Sequence, residues 1–133
     1  DSRKHGMSQI KTCFPRIMVS GSTPEGLCFD AIMKDILNAS RGKDAYFVNM
    51  SDGAPYYKDY GGVMARKHTR SQINKMTKEG IKVISYFISG NYRASSTDTI
   101  NFREMYGKEA QFIDTKKIME VAKTMNSKFL EVK

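Results

Sequence analysis

The stretch that decides the fold is residues 81–88, IKVISYFI, in which β-branched and aromatic residues dominate. Residues 45–50, AYFVNM, have the same character, and both stretches run directly into turns that contain Ser and Gly. Strand-forming residues that are apolar on both faces are typical of parallel strands covered by helices. We therefore predict two buried strands here, and two shorter strands at residues 17–19 and 111–113.

Amphipathic stretches separate these predicted strands. Residues 24–38 and 63–79 carry apolar side chains at helical spacing, a shorter helix is predicted over residues 99–106, and a final helix follows Thr115. Alternation of strand and helix is typical of a mostly parallel sheet. The sequence therefore predicts an α/β fold of three layers, Rossmann-like, with helices on both faces of the sheet.

Length and composition are those of one globular domain. The chain has 133 residues, of which 40% are hydrophobic and 27% charged. Residues 1–12 show no usable period and are predicted to be a flexible N-terminal segment, so we expect a single domain over residues 13–133. Two cysteines, Cys13 and Cys28, stand in apolar surroundings and not in a metal-binding pair. We expect buried free thiols in a cytoplasmic protein that does not enter the membrane.

Hydroxyl and carboxylate side chains follow the predicted strands. Because the carboxyl ends of parallel strands share one edge of a sheet, we expect Ser22, Thr23, Ser51, Asp52 and Ser89 to lie along that edge. Thr23 and Asp52 offer the hard oxygen ligands that Mg²⁺ prefers. The same two residues are equally explained as a helix N-cap and as a turn former before a glycine.

Three segments of the chain resemble successive parts of a von Willebrand factor A (VWA) domain, with the cobaltochelatase-type subunit as the nearest variant. They are residues 21–27 (GSTPEGL), 48–55 (VNMSDGAP) and 80–88 (GIKVISYFI), and the resemblance extends over most of the chain. It implies that Thr23 and Asp52 help to form a metal-ion-dependent adhesion site (MIDAS) for Mg²⁺. Ser22, Ser51 and Ser89 are the neighbouring candidates for contact with a partner.

One motif of that family is missing. The first metal motif, Asp-x-Ser-x-Ser, does not occur, and the opening Asp1-Ser2-Arg3 does not fit it. Because the chain also begins at Asp1 and not at Met, we expect it to be the C-terminal part of a larger VWA domain. The metal site would then be incomplete and weak, and sheet edges left without their neighbours would favour self-association.

The resemblance implies a non-catalytic module that binds another protein, in the family often an AAA+ ATPase of a remodelling or chelatase assembly. The sequence contains no nucleophile elbow, zinc-protease motif or Walker loop. His68 falls on a predicted helix, where we expect a residue hydrogen-bonded to its neighbours and not a general base. We therefore predict that the protein is not an enzyme.

A second interpretation starts from the net charge of +8. Such a charge favours nucleic acid through a field that does not depend on sequence. Tyrosines precede the helix over residues 63–79 and could stack on bases. The alternative function is thus a basic nucleic-acid-binding accessory protein, although a solvated helix face explains the same pattern. The candidate basic residues are Arg66, Lys67, Arg70, Lys75 and Lys78.

Overall fold

A computed structural model describes residues 6–13, 21–88 and 95–113, together with the single positions 123, 126, 127 and 130. The predicted strand at residues 17–19 and most of the final helix lie outside these residues. In chain order the elements are α1 (Met7–Cys13), α2 (Glu25–Ser40), β1 (Tyr46–Ser51), α3 (Gly62–Lys78), β2 (Lys82–Ile88), α4 (Ser96–Tyr106), a short 3₁₀ turn (Gly107–Glu109) and β3 (Ala110–Ile113).

The described strands form one parallel sheet in the order β1-β2-β3. Tyr46 pairs with Lys82 at the start of β1, and Ser51 pairs with Phe87 at its end. β3 joins the other side of β2, with Ser85 opposite Ala110. The predicted α/β character and the parallel sheet are confirmed, and β1 and β3 are its two edges within the described part of the chain.

Helices α2, α3 and α4 cover one face of this sheet. For α3 and α4, which connect β1 to β2 and β2 to β3, this follows from the right-handed crossover between parallel strands. The opposite face, with Ile84 and Tyr86, is also buried, although helices on that face remain a prediction. The core beneath the three helices comprises Phe29, Met33, Ile73, Met76, Ile81, Val83, Phe87, Phe102, Met105 and Tyr106.

Helix α2 begins one residue later than the sequence suggests, and the prediction that Thr23 caps it is wrong. Pro24 occupies the cap position and no side chain makes a capping hydrogen bond. The Pro24 carbonyl accepts the Cys28 N–H at 3.0 Å, which is the first bond of the helix. The Thr23 carbonyl accepts the N–H groups of Glu25 and Tyr56 instead, at 3.0 and 3.2 Å.

The buried face of α2 also differs from the predicted one. The helical spacing of apolar residues over 24–38 places Leu27 and Met33 on the predicted inward face, but the buried residues are Phe29 and Met33, and Leu27 is exposed. Cys13 and Cys28 are both free thiols, but both are exposed, so the expected burial of these residues is wrong. For Cys28 the reason is helical geometry, because a residue directly before Phe29 lies about 100° around the helix from it.

The remaining helix boundaries have local causes. α3 agrees with its predicted range and buries Ala65, Thr69, Gln72, Ile73 and Met76. α4 begins earlier than predicted because Ser95 and Asp98 form a capping box, in which each side chain accepts the other residue's backbone N–H. The sequence pattern predicts no element at α1, where the structure contains a short helix.

Candidate functional site

A cavity, called the edge cavity below, lies at the carboxyl ends of β1 and β2 and not along the side of an outer strand of the sheet. Its volume is about 230 Å³, and it opens between the turn after β1 and the start of α2. Two larger cavities lie at the opposite end of the sheet, near the amino ends of the strands. None of the predicted metal or partner-binding residues lines them. The edge cavity is therefore the candidate functional site. Its lining residues are Thr23, Glu25, Met50, Ser51, Asp52 and Ile88.

The turn after β1 holds two of these residues in place. The Ser51 hydroxyl oxygen accepts the Gly53 N–H at 2.9 Å, and an Asp52 carboxylate oxygen accepts the Ala54 N–H at 3.2 Å. Gly53 has a φ of +79°, and a Cβ there would lie 2.8 Å from the ring of Phe87. The turn thus requires glycine, and it leaves Ser51 buried and Asp52 exposed at the cavity.

Of the predicted edge residues, the structure brings Thr23, Ser51 and Asp52 together. The hydrogen bond from the Tyr56 N–H to the Thr23 carbonyl ties the segment before α2 to the loop after β1. Ser22 is exposed and does not line the cavity. Ser89 lies outside the described residues.

Glu25, the first residue of α2, is the component that sequence reasoning missed. Its side chain lines the cavity, yet the residue is only 4% exposed. The Asn49 amide donates to Glu25 Oε1 over a long 3.5 Å and to the Tyr106 hydroxyl at 2.9 Å. Glu25 Oε2 makes no hydrogen bond of ideal geometry among the described residues, but the hydroxyls of Ser51 and Tyr106 lie close enough to the carboxyl group to interact with it. An acidic residue in the first turn of a helix is common, so the sequence carries no signal for this burial.

The environment perturbs the acid–base behaviour of both Glu25 and Tyr106. Burial raises the pKa of the Glu25 carboxyl, hydrogen bonds from Ser51, Tyr106 and Asn49 act in the opposite direction, and the charge of Asp52 adds to the rise. The pKa of Tyr106 is also raised, mainly by burial and to a smaller extent by the negative charge of the nearby Glu25. The tyrosine therefore remains a neutral hydroxyl, and Glu25 stands in a pocket that disfavours an uncompensated negative charge.

His68 belongs to a separate cluster between α2 and α3. Its Nε2 lies 2.9 Å from the Gln72 amide nitrogen and its Nδ1 lies 3.0 Å from the Tyr60 hydroxyl, which in turn donates to the Ala65 carbonyl at 3.3 Å. With Gln72 donating, Nε2 accepts and Nδ1 carries the hydrogen. The prediction of a helix-face histidine hydrogen-bonded to its neighbours is confirmed.

The basic residues of α3 are spread over several local contacts. Arg66 forms a 2.6 Å ion pair with Glu104 of α4, and Lys75 lies 3.7 Å from Asp30 of α2. The Arg70 guanidinium packs so closely over Gly107 that a Cβ there would collide with it. Lys67 and Lys78 are exposed. Three of the five candidate nucleic-acid residues therefore also hold α3 against its neighbours.

The tyrosines before α3 are divided in the same way. Tyr56 and Tyr57 are exposed, whereas Tyr60 is buried in the His68 cluster. Tyr57 and Tyr60 exchange backbone hydrogen bonds of 2.7 and 2.8 Å across a tight turn. Tyr60 is thus part of the interior, and two rings remain that could stack on a base.

The donor set of the edge cavity consists of two carboxylates and two hydroxyls. Within the described ranges no group of three or more His, Cys, Asp and Glu side chains is placed to hold a metal ion. Oxygen donors of this kind suit a hard cation that keeps several of its waters.

No protein-family model matches the chain, and searches of curated proteins and of solved structures found no match either. Among the described helices none has the length and apolar character needed to cross a membrane.

Proposed function

We propose that this chain is a non-catalytic protein-interaction module of the VWA type and that its ligand site is the edge cavity. The observation that carries the proposal is that Thr23 and Asp52, distant in sequence, line the same cavity at the carboxyl ends of parallel strands. This is the edge at which open α/β sheets bind their ligands. The resemblance of segments 21–27 and 48–55 to the VWA metal turns supports the same interpretation.

The residues at the cavity fit a weakly held Mg²⁺. The exposed carboxylate of Asp52 and the hydroxyl of Thr23 are hard oxygen donors, and the hydroxyl of Ser51 lies beside them. Few protein ligands are available, so we expect the ion to keep several waters and to bind with modest affinity. When bound, Mg²⁺ supplies a positive centre that an acidic side chain of a partner can reach at the cavity mouth.

The partner follows from the family resemblance and from the chemistry of the cavity. An acidic surface segment, presented by an AAA+ ATPase or another protein, would meet Asp52 and Thr23 only when the cation neutralises the carboxylate. Binding of the partner would therefore depend on Mg²⁺ and be reversed by EDTA. Partner binding would require no covalent chemistry from the chain.

The substitution Asp52→Ala tests this function. We expect MgCl₂ to bind the wild-type chain in isothermal titration calorimetry, and Asp52→Ala to weaken that binding by at least about tenfold. Asp35→Ala is the matched control, because Asp35 is an exposed carboxylate farther along α2. If wild-type protein releases no heat with MgCl₂, or if Asp52→Ala binds it as tightly as wild type, the proposed site is wrong.

A further inference from the structure

The turn before α3 (residues 56–60, the tyrosine turn) holds two aromatic rings in the solvent. Tyr56 and Tyr57 are 56% and 45% exposed, although aromatic side chains gain much from burial. The backbone beneath the rings is fixed, because Tyr57 and Tyr60 exchange two backbone hydrogen bonds and the Tyr60 hydroxyl donates to the Ala65 carbonyl. The rings are therefore displayed by an ordered turn and not by a loose loop.

The same turn brings a positive charge to these rings. The Tyr56 N–H donates to the Thr23 carbonyl at 3.2 Å, and a Cβ at Gly61 would lie 3.0 Å from the Tyr56 ring. Between these fixed points Lys58 has a φ of +51°, which no other non-glycine residue in the described ranges shares in sign. Such a conformation persists where the surroundings impose it. The Lys58 ammonium lies 5.2 Å from the centroid of the Tyr57 ring, so rings and charge are arranged before any ligand arrives.

Helix α3 extends this surface with further positive charge. Its 17 residues include five Lys and Arg side chains and no Asp or Glu. Spacings of four, three and four residues place four exposed polar side chains on one stripe of the helix. Because the helix rises about 1.5 Å per residue, this α3 stripe is roughly 16 Å long. Its members are Lys67, Ser71, Asn74 and Lys78.

We propose that the tyrosine turn and the α3 stripe form a binding surface for single-stranded nucleic acid. Unpaired bases stack on Tyr56 and Tyr57, since every base offers a flat π face to an exposed ring. The phosphates then pass along the α3 stripe, where lysine, hydroxyl and amide groups are the usual donors to phosphate oxygens. The net charge of +8 complements this polyanion.

The surface differs from the set of basic residues that the sequence suggests. Arg66 is paired with Glu104, and the Arg70 guanidinium lies against the backbone at Gly107, so neither is assigned to the surface. No residue of the tyrosine turn or the α3 stripe lines the edge cavity. Nucleic-acid binding therefore goes beyond the proposed function and requires no divalent cation.

The first test compares rings at equal charge. Fluorescence anisotropy measures binding of fluorescein-labelled oligothymidylate and oligouridylate of about 20 nucleotides, in EDTA so that no cation contributes. The double variant Tyr56→Leu/Tyr57→Leu removes both rings, and Tyr56→Phe/Tyr57→Phe is the matched control. Both leave the backbone hydrogen bonds of the turn in place. We expect the leucine variant to bind at least about tenfold more weakly and the phenylalanine variant to bind as wild type does.

The second test compares charges. We expect Lys67→Gln and Lys78→Gln each to reduce the slope of log affinity against log salt by about 1. Lys34→Gln is the control, because Lys34 is an exposed lysine on α2, outside the surface. Its slope should equal that of wild type.

Several outcomes would overturn the inference. They are failure of wild type to bind either oligonucleotide at low salt, equal affinity of the leucine and phenylalanine variants, and equal slopes for Lys67→Gln and Lys34→Gln. Equally tight binding of a duplex would also overturn it, because paired bases do not offer their faces to the rings. If circular dichroism shows that the leucine variant does not fold, the lysine comparison decides. Magnesium calorimetry is independent of every one of these results, so the proposed function stands or falls separately.

Discussion

Two buried polar clusters lie on either side of the first turn of α2, and they differ in charge. In the His68 cluster, neutral groups follow one another in a chain of hydrogen bonds from Gln72 through His68 and Tyr60 to the Ala65 carbonyl. In the Glu25 cluster, the Asn49 amide donates to both Glu25 and Tyr106, and the buried group is a carboxyl that can carry a charge.

The difference indicates what each cluster is for. A network of neutral groups stabilises the contact between helices and carries no charge that burial must compensate, although Gln72 Oε1 has no partner among the described residues. A buried carboxyl group next to a second carboxylate is instead sensitive to pH, because burial favours its protonated form. We therefore expect substitutions in the His68 cluster to lower stability, and substitution of Glu25 to change how stability depends on pH.

The largest effect is expected from Gly26→Ala, at the point where α2 meets the His68 cluster. A Cβ at Gly26 would collide with the Tyr60 hydroxyl and would lie 2.9 Å from the backbone nitrogen of Thr69 and 3.0 Å from His68 Nδ1. We expect the free energy of unfolding to fall by about 3 kcal/mol, measured by urea denaturation. Gly6→Ala is the control, since nothing lies within 4 Å of a Cβ there. Equal stability of the two variants would contradict the packing described here.

A smaller loss is expected from His68→Leu. Leucine fills similar space but leaves the Tyr60 hydroxyl and the Gln72 amide without their shared partner, so we expect a loss of about 2 kcal/mol in unfolding free energy. The affinity for Mg²⁺, measured by calorimetry, should stay at the wild-type value. Lys67→Leu, at an exposed neighbouring position, should change stability by less than about 0.5 kcal/mol. A loss of Mg²⁺ affinity in His68→Leu would show that the two clusters are not separate.

The smallest effect concerns pH in the absence of metal. Burial raises the pKa of Glu25 in the folded protein, so folding favours its protonated form. The stability from this group is therefore fully present below the ordinary glutamate pKa and is lost as pH rises through the raised folded value. We expect urea denaturation of wild type in EDTA to show this loss, and Glu25→Gln not to show it. Parallel pH profiles for the two proteins would contradict the shift.

Several elements could be predicted because their causes are local. The strands at residues 45–50 and 81–88 agree with β1 and β2 to within a residue, since runs of β-branched and aromatic side chains specify strands without help from distant parts of the chain. The buried stripe of α3 follows from helical periodicity in the same way. The meeting of Thr23 and Asp52 at one edge could also be anticipated, although the predicted strand before Thr23 lies outside the described residues.

Other features could not be predicted, because their causes lie far away in the sequence. The exposure of Cys28 depends on which side of α2 faces α3 and the sheet. The burial of Glu25 depends on Asn49 and Tyr106. Asn49 lies 24 residues after Glu25, and Tyr106 lies 57 residues after Asn49. The ion pairs of Arg66 and Lys75 likewise require α4 and α2 as neighbours.

The amino-acid sequence by itself determined the alternation of strands and helices, the parallel sheet, and the edge at which polar side chains collect, because propensity and periodicity act over a few residues. Only the tertiary structure decided that Glu25 is buried at that edge beside Asn49 and Tyr106, and that His68 lies between Tyr60 and Gln72. Burial and hydrogen-bond pairing are properties of surfaces brought together by folding, so no short stretch of sequence contains them.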